Sequence, residues 1–103
     1  MKALLAVPAM LVAINAAADC PVERPTNAPE MPVAAVASKA QMYAAQAETQ
    51  AYVDRVEAFL NCRQAYLNDM EHNFFVVAAE QAAHDYNQTL RAYRQQQEAV
   101  ASS

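Results

Sequence analysis

Not one of the 103 residues is a glycine. Glycine is the usual occupant of left-handed turns, tight hairpins and loops that come close to phosphate. Its absence removes the phosphate-binding loop and the dinucleotide fingerprint, and it argues against a many-stranded β fold. Proline is missing beyond Pro32, since all five lie at or before it. The rest of the chain is rich in Ala, Gln, Glu, Leu, Arg and Met, which favour helix. Positive charge is scarce: 7 Lys and Arg stand against 11 Asp and Glu, a formal net charge of −4. An acidic surface repels nucleic-acid phosphates and anionic lipid heads, so no nucleic acid is expected as a partner. After the first eighteen residues no long apolar run remains, and a membrane-spanning helix needs about 20 apolar residues.

Those first residues, MKALLAVPAMLVAINAAA, place one lysine before an apolar run from Ala3 to Ile14 and close on Ala16, Ala17 and Ala18. Charge, apolar stretch and small-residue cleavage site in that order make an export signal, removed in the mature protein. The expected working chain begins at Asp19, outside the reducing cytosol, with no stable membrane insertion after cleavage. An uncleaved signal acting as an anchor is the alternative, and the apolar run is short for it. Loss of Lys2 makes the formal charge about −5. The 85 residues left form one small domain with a thin core, a size that usually needs a staple or a partner.

Residues 19–37 read as an extended leader, because Pro21, Pro25, Pro29 and Pro32 forbid a regular helix. Ser38 is the best N-cap, and Gln41 three residues later completes a capping box. A first helix is expected over about 38–67. Its apolar row is Tyr52, Val56, Phe59, Arg63, Tyr66 and Met70, thickened by Val53, Leu60 and Leu67, with Gln50, Asp54, Glu57, Asn61, Gln64 and Asn68 opposite. A second helix is expected over about 72–97, with Phe75, Ala79, Ala82, Tyr86, Leu90 and Tyr93 as its apolar row and Gln81, His84, Gln88, Arg91 and Gln95 as its polar row. Continuing the first apolar row past Met70 leads through Phe74 and Val77 into that polar face. One straight helix would therefore keep no single apolar side. A break in the polar stretch from Asn68 to Asn73 resolves this, since Asn and Asp favour turns. Arms of about 30 and 26 residues, roughly 45 and 39 Å long, suit an antiparallel hairpin. A long kinked helix paired with a second chain is the alternative.

Cys20 and Cys62 are the only cysteines. In an exported chain an even count implies a disulfide. Eighteen extended steps from Cys20 to Ser38 reach about 55 Å, against roughly 36 Å of helix from Ser38 to Cys62. The leader is long enough to fold back along the first helix and be pinned near its far end. A bond between two chains is the rival, while a redox pair would want Cys-x-x-Cys spacing. Lipidation of Cys20 is not expected, because Asp19 precedes it and a leucine is missing three places before it.

Chemistry is thin. His72 and His84 are the only histidines. Glu80 with His84, and Asp69 with His72, each offer two ligands where a tight metal site wants three or four. No metal and no cofactor is expected, and His84 reads as a solvated surface residue. Ser38 is spent as a cap, Ser102 and Ser103 lie at the end of the chain, and the carboxylates lie on polar faces without an apolar cleft. Tyr43, Tyr52, Tyr66, Tyr86 and Tyr93 read as packing residues. Arg63 reads as a snorkelling side chain or the partner of a carboxylate on the second helix. No catalytic residue is expected.

The stretches CPVERP, SKAQMYAAQ, AYVDRVEAFLNC and YNQTLRAYRQ cover most of the mature chain. In them it resembles a group of short exported proteins of Gram-negative bacteria that carry a Cys-Pro leader, a capped helix and a second helix, with no assigned function. The resemblance implies a periplasmic, disulfide-tied helical hairpin and transfers no active site. The chain departs from the pattern in lacking an Asp-Gly turn before the capping serine and in a short connector after Cys62.

The expected fold is thus all-α, an antiparallel two-helix hairpin after a cleaved signal peptide and a Pro-rich extended leader. Two helices cannot fully enclose Phe59, Tyr66, Phe74, Phe75, Tyr86 and Tyr93, so some apolar surface should stay open and mark an interface. Core and interface are expected at Tyr52, Val56, Phe59, Tyr66, Phe75, Tyr86, Leu90 and Tyr93. The expected function is non-enzymatic and acts by protein contact, as an accessory subunit or by self-association. A small periplasmic chaperone or stress protein is the alternative, and metal or small-ligand binding through His72, Glu80 and His84 comes third.

Overall fold

The structure, a computed structural model, describes residues 23–102. The signal sequence and Cys20 lie outside the described residues. Two helices form an all-α hairpin: α1 spans Lys39–Arg63 and α2 spans Asp69–Ser102. Ahead of them residues 23–38 run without regular structure, apart from one turn in which the Val36 amide donates to the Val33 carbonyl at 3.1 Å.

The start of α1 is the capping box expected from Ser38 and Gln41. The Gln41 amide donates to Ser38 Oγ at 3.0 Å, and the Ser38 amide donates to Gln41 Oε1 at 2.7 Å. A second box opens α2. The Glu71 amide donates to Asn68 Oδ1 at 2.8 Å, and the Asn68 amide donates to Glu71 Oε1 at 3.2 Å. This box moves the corner. α1 ends at Arg63 rather than about Leu67, where the Tyr66 amide closes a turn onto the Arg63 carbonyl at 2.8 Å. α2 starts at Asp69 rather than about His72 and runs to Ser102 rather than about Gln97. The arms are 25 and 34 residues, not nearly equal. Asn68 satisfies two otherwise orphaned helix-start groups jointly with Glu71, so the polar stretch initiates a helix instead of forming a long turn.

On α1 the buried positions are Met42, Ala45, Thr49, Tyr52, Val56 and Phe59, spaced by alternating threes and fours. The stripe thus begins ten residues earlier than the expected row. On α2, Phe75 and Ala82 are buried and Ala79 is partly so. Phe59 meets Phe75, and one heptad inward Tyr52 and Ala82 belong to the same core. That is the register of an antiparallel pair whose seam repeats every seven residues. Leu60 and Leu67 pack on its edge.

The leader is the third element of the packing. Arg24 lies at the corner end of the hairpin, near Phe59 and Phe75. Asn27, Ala28 and Pro29 lie beside Glu48, Ala51 and Arg55. Glu30, Met31 and Pro32 lie beside Gln41, Ala44 and Ala45. The leader therefore runs antiparallel to α1 along one flank. No helix among the described residues is long and apolar enough to cross a membrane.

Candidate functional site

Taking the core side of each helix as the reference, 100° per residue puts the leader and the apolar residues on opposite flanks. Glu48, Ala51 and Arg55 face the leader. Val53, Glu57 and Leu60 face the other way, joined on α2 by Val76, Glu80 and Ala83. Between these two helix edges lies an open groove of about 300 Å³, floored by Val56 and Ala79. Val53, Leu60, Val76 and Ala83 are all partly exposed, and Glu57 and Glu80 stand exposed on opposite rims. Such a groove can accept an apolar ridge and hold positive charge at its lips. Its only ionisable lining groups are the two carboxylates.

The same flank continues along α2. Val76, Glu80, Ala83, Asn87, Leu90 and Arg94 recur at steps of four and three, so they form one row on that helix. Its far half is a second concavity of about 510 Å³, where Leu90 is bordered by Arg91, Arg94 and Glu98. The flank is thus acidic and apolar toward the corner and carries arginines toward the open end.

The corner is an aromatic cluster. The Phe59 and Phe75 rings lie 4.9 Å apart, tilted at 59°, and Phe74 stands edge-on to Phe75 at 5.1 Å. The Arg24 guanidinium sits 5.1 Å from the Phe75 ring centre and 5.8 Å from that of Phe59. It also lies 3.8 Å from Glu71. Arg63 reaches the Phe59 ring at 5.8 Å, which makes it a snorkelling side chain over an aromatic face. With the leader as a third wall, Phe59 and Phe75 are each only 2% exposed.

The expected interface and core residues divide. Tyr52, Val56, Phe59 and Phe75 meet in one cluster. Tyr86, Leu90 and Tyr93 are half-buried farther along α2. Tyr66 is 68% exposed and lies outside the core, because α1 ends before the stripe reaches it. Met70, Phe74 and Val77 are also exposed, at 82%, 64% and 49%. His72, Glu80 and His84 are exposed, and no cluster of three or more metal-ligating side chains occurs among the described residues. Cys62 is half-buried, and no described cysteine is a free thiol. Sequence reasoning missed Arg24 and Glu71, whose contact is tertiary and leaves no local trace. It also missed Asn68, although Asn-x-x-Glu is a readable capping box.

Compared with models of known protein families, with curated proteins and with solved structures, the chain matches none.

Proposed function

We propose that the protein is a non-enzymatic component of the periplasm that works by protein contact, through the flank its own leader does not cover. The observation that carries this reading is the open groove between Val53, Leu60, Val76 and Ala83, with Glu57 and Glu80 at its rims. A small hairpin that covers one flank with its own chain and leaves the more apolar one open has the form of an interaction surface. The export signal and a Cys20–Cys62 bond complete the proposal. Arg24, four residues after Cys20, lies by Phe59, three residues before Cys62, which supports the pairing of the two cysteines within one chain.

Chemical cross-linking in the intact envelope, followed by isolation of the protein, tests the reading. A stable oligomer or one specific co-purifying protein is expected. A monomer at high concentration that captures nothing overturns it. Intact mass starting at Asp19 tests export, and a chain that keeps residues 1–18 in the cytoplasm removes it.

A chaperone role is favoured by one separate observation, the exposed Met70 and Phe74 at the corner. Flexible methionine beside an aromatic ring suits contact with varied partners. Suppression of a client protein's aggregation at stoichiometric amounts would support that role, and no effect at neutral or acid pH would dismiss it.

A further inference from the structure

Resting on the protein-contact reading above, we infer that the open flank binds a second copy of this chain, laid antiparallel about a twofold axis near Asn87. The flank's own charge pattern carries the argument. Toward the corner it presents exposed Glu57 and Glu80 beside the apolar groove, and toward the open end it presents exposed Arg91 and Arg94 beside Leu90. Glu80 and Arg94 lie on the same row of α2, about 21 Å apart along the axis, with Asn87 midway between them.

A twofold axis at that midpoint is self-complementary. It sets Glu80 of each copy opposite Arg94 of the other and within about one turn of its Arg91, with Glu57 within about one turn of the level of that Arg94, and each contact occurs twice. Lys39, at the start of α1, falls at nearly the level of Arg94 in the hairpin register and adds a third cation on that side. Glu98 is the one acid in the arginine half, a single turn beyond Arg94. A parallel arrangement would put the glutamates of one copy against those of the other and leave the arginines facing each other.

The apolar groove then receives the Leu90 end of the partner's α2, and the product is a four-helix bundle. A flank of roughly 30 Å by 20 Å gives about 600 Å² on each copy, which is at the lower end of specific interfaces. The dimer should therefore depend on concentration, with a dissociation constant of micromolar order. A basic helix of another protein would fit the glutamate half alone and would leave the arginine half without a purpose.

The test is a charge exchange at exposed positions, with circular dichroism to confirm unchanged helix content. Sedimentation equilibrium of the purified protein should show a monomer–dimer equilibrium. The E57K/E80K variant and the R91E/R94E variant should each dimerise at least tenfold more weakly than the parent. An equimolar mixture of the two should recover the dimer as a heterodimer, because each copy then meets its opposite charges at both ends. A parent dimer indifferent to both exchanges, or a mixture that stays monomeric, overturns the inference. A monomeric parent that captures one envelope protein also overturns it while leaving the contact reading standing. A monomeric parent that captures nothing removes both.

Discussion

The two flanks of the hairpin share the same pair of helices and are finished in opposite ways. On one, the extended leader lies over Ala44, Ala45 and Ala51. Small side chains let a proline-rich strand, which cannot adjust by forming a helix, come close to the α1 backbone. On the other, the larger Val53, Leu60 and Val76 are left partly exposed. Had covering apolar surface been the leader's main task, it would lie on the second flank. Its position instead brings Arg24 to the aromatic corner. The leader packs along one flank, and the surface it leaves uncovered is the one proposed above to meet a partner.

The largest expected effect tests what the flanks share. Phe59 is almost fully buried against Phe75 and beneath Arg24. Phe59→Ala should cost about 3–5 kcal/mol, the usual range for losing a buried phenylalanine. In a domain of this size that should leave the chain largely unfolded by circular dichroism at 25 °C. A loss below about 1 kcal/mol in urea titration would mean that the corner is not the centre of the core.

Next comes the proposed Cys20–Cys62 bond, which would act on the leader flank. Replacing Cys20 and Cys62 together by serine should lower stability by about 2–4 kcal/mol, a figure that depends on the chain-entropy model. The oxidised parent should migrate as a single chain on a non-reducing gel. Migration as a covalent dimer would show that the sulfurs join two copies, and the leader would then owe its position to Arg24 and packing alone.

Much of this plan was legible in the sequence. Ser38 and Gln41 announced the first cap, and the spacing of Phe75, Ala79 and Ala82 announced the buried row of α2. The collision of the first apolar row with the polar face beyond Val77 announced the fold-back. The details that escaped were those set by contacts between distant segments. Tyr66 continues the α1 spacing perfectly and is nevertheless exposed, because the Asn68–Glu71 box starts a new helix before a further turn of α1 can form. Met42 and Ala45 are small or flexible residues among many alanines, and only packing against distant segments of the same chain makes them core. The open groove was foreseen only as apolar surface left over, since no local pattern says which flank the leader takes.

Arg24 allows a finer separation of the flanks. Its side chain is 56% exposed and the Glu71 contact is long, so the ion pair contributes little. The two aromatic faces should dominate, and Arg24→Gln should cost about 1–2 kcal/mol. The sharper readout is local. A glutamate-specific protease should cut after Glu30 several-fold faster in the variant, while self-association through Glu57 and Arg94 should be unchanged. Equal cleavage rates in parent and variant would show that the leader is held without its arginine.

The smallest effect should have the opposite sign. Thr49 sits in the buried row of α1 at 6% exposure, and its hydroxyl oxygen has no hydrogen-bond partner among the described residues. A buried hydroxyl that forfeits its bonds to water without replacing them is destabilising, whereas a methyl group of the same shape loses nothing. Thr49→Val should therefore raise stability by about 1 kcal/mol, seen as a higher melting temperature with the helix content unchanged. A fall in stability would mean that the hydroxyl does find a partner when the protein is assembled. Repeating the melt above and below the dissociation constant of the inferred dimer would then locate that partner: a loss confined to high concentration places it on the second copy, and a loss at both concentrations places it within the hairpin.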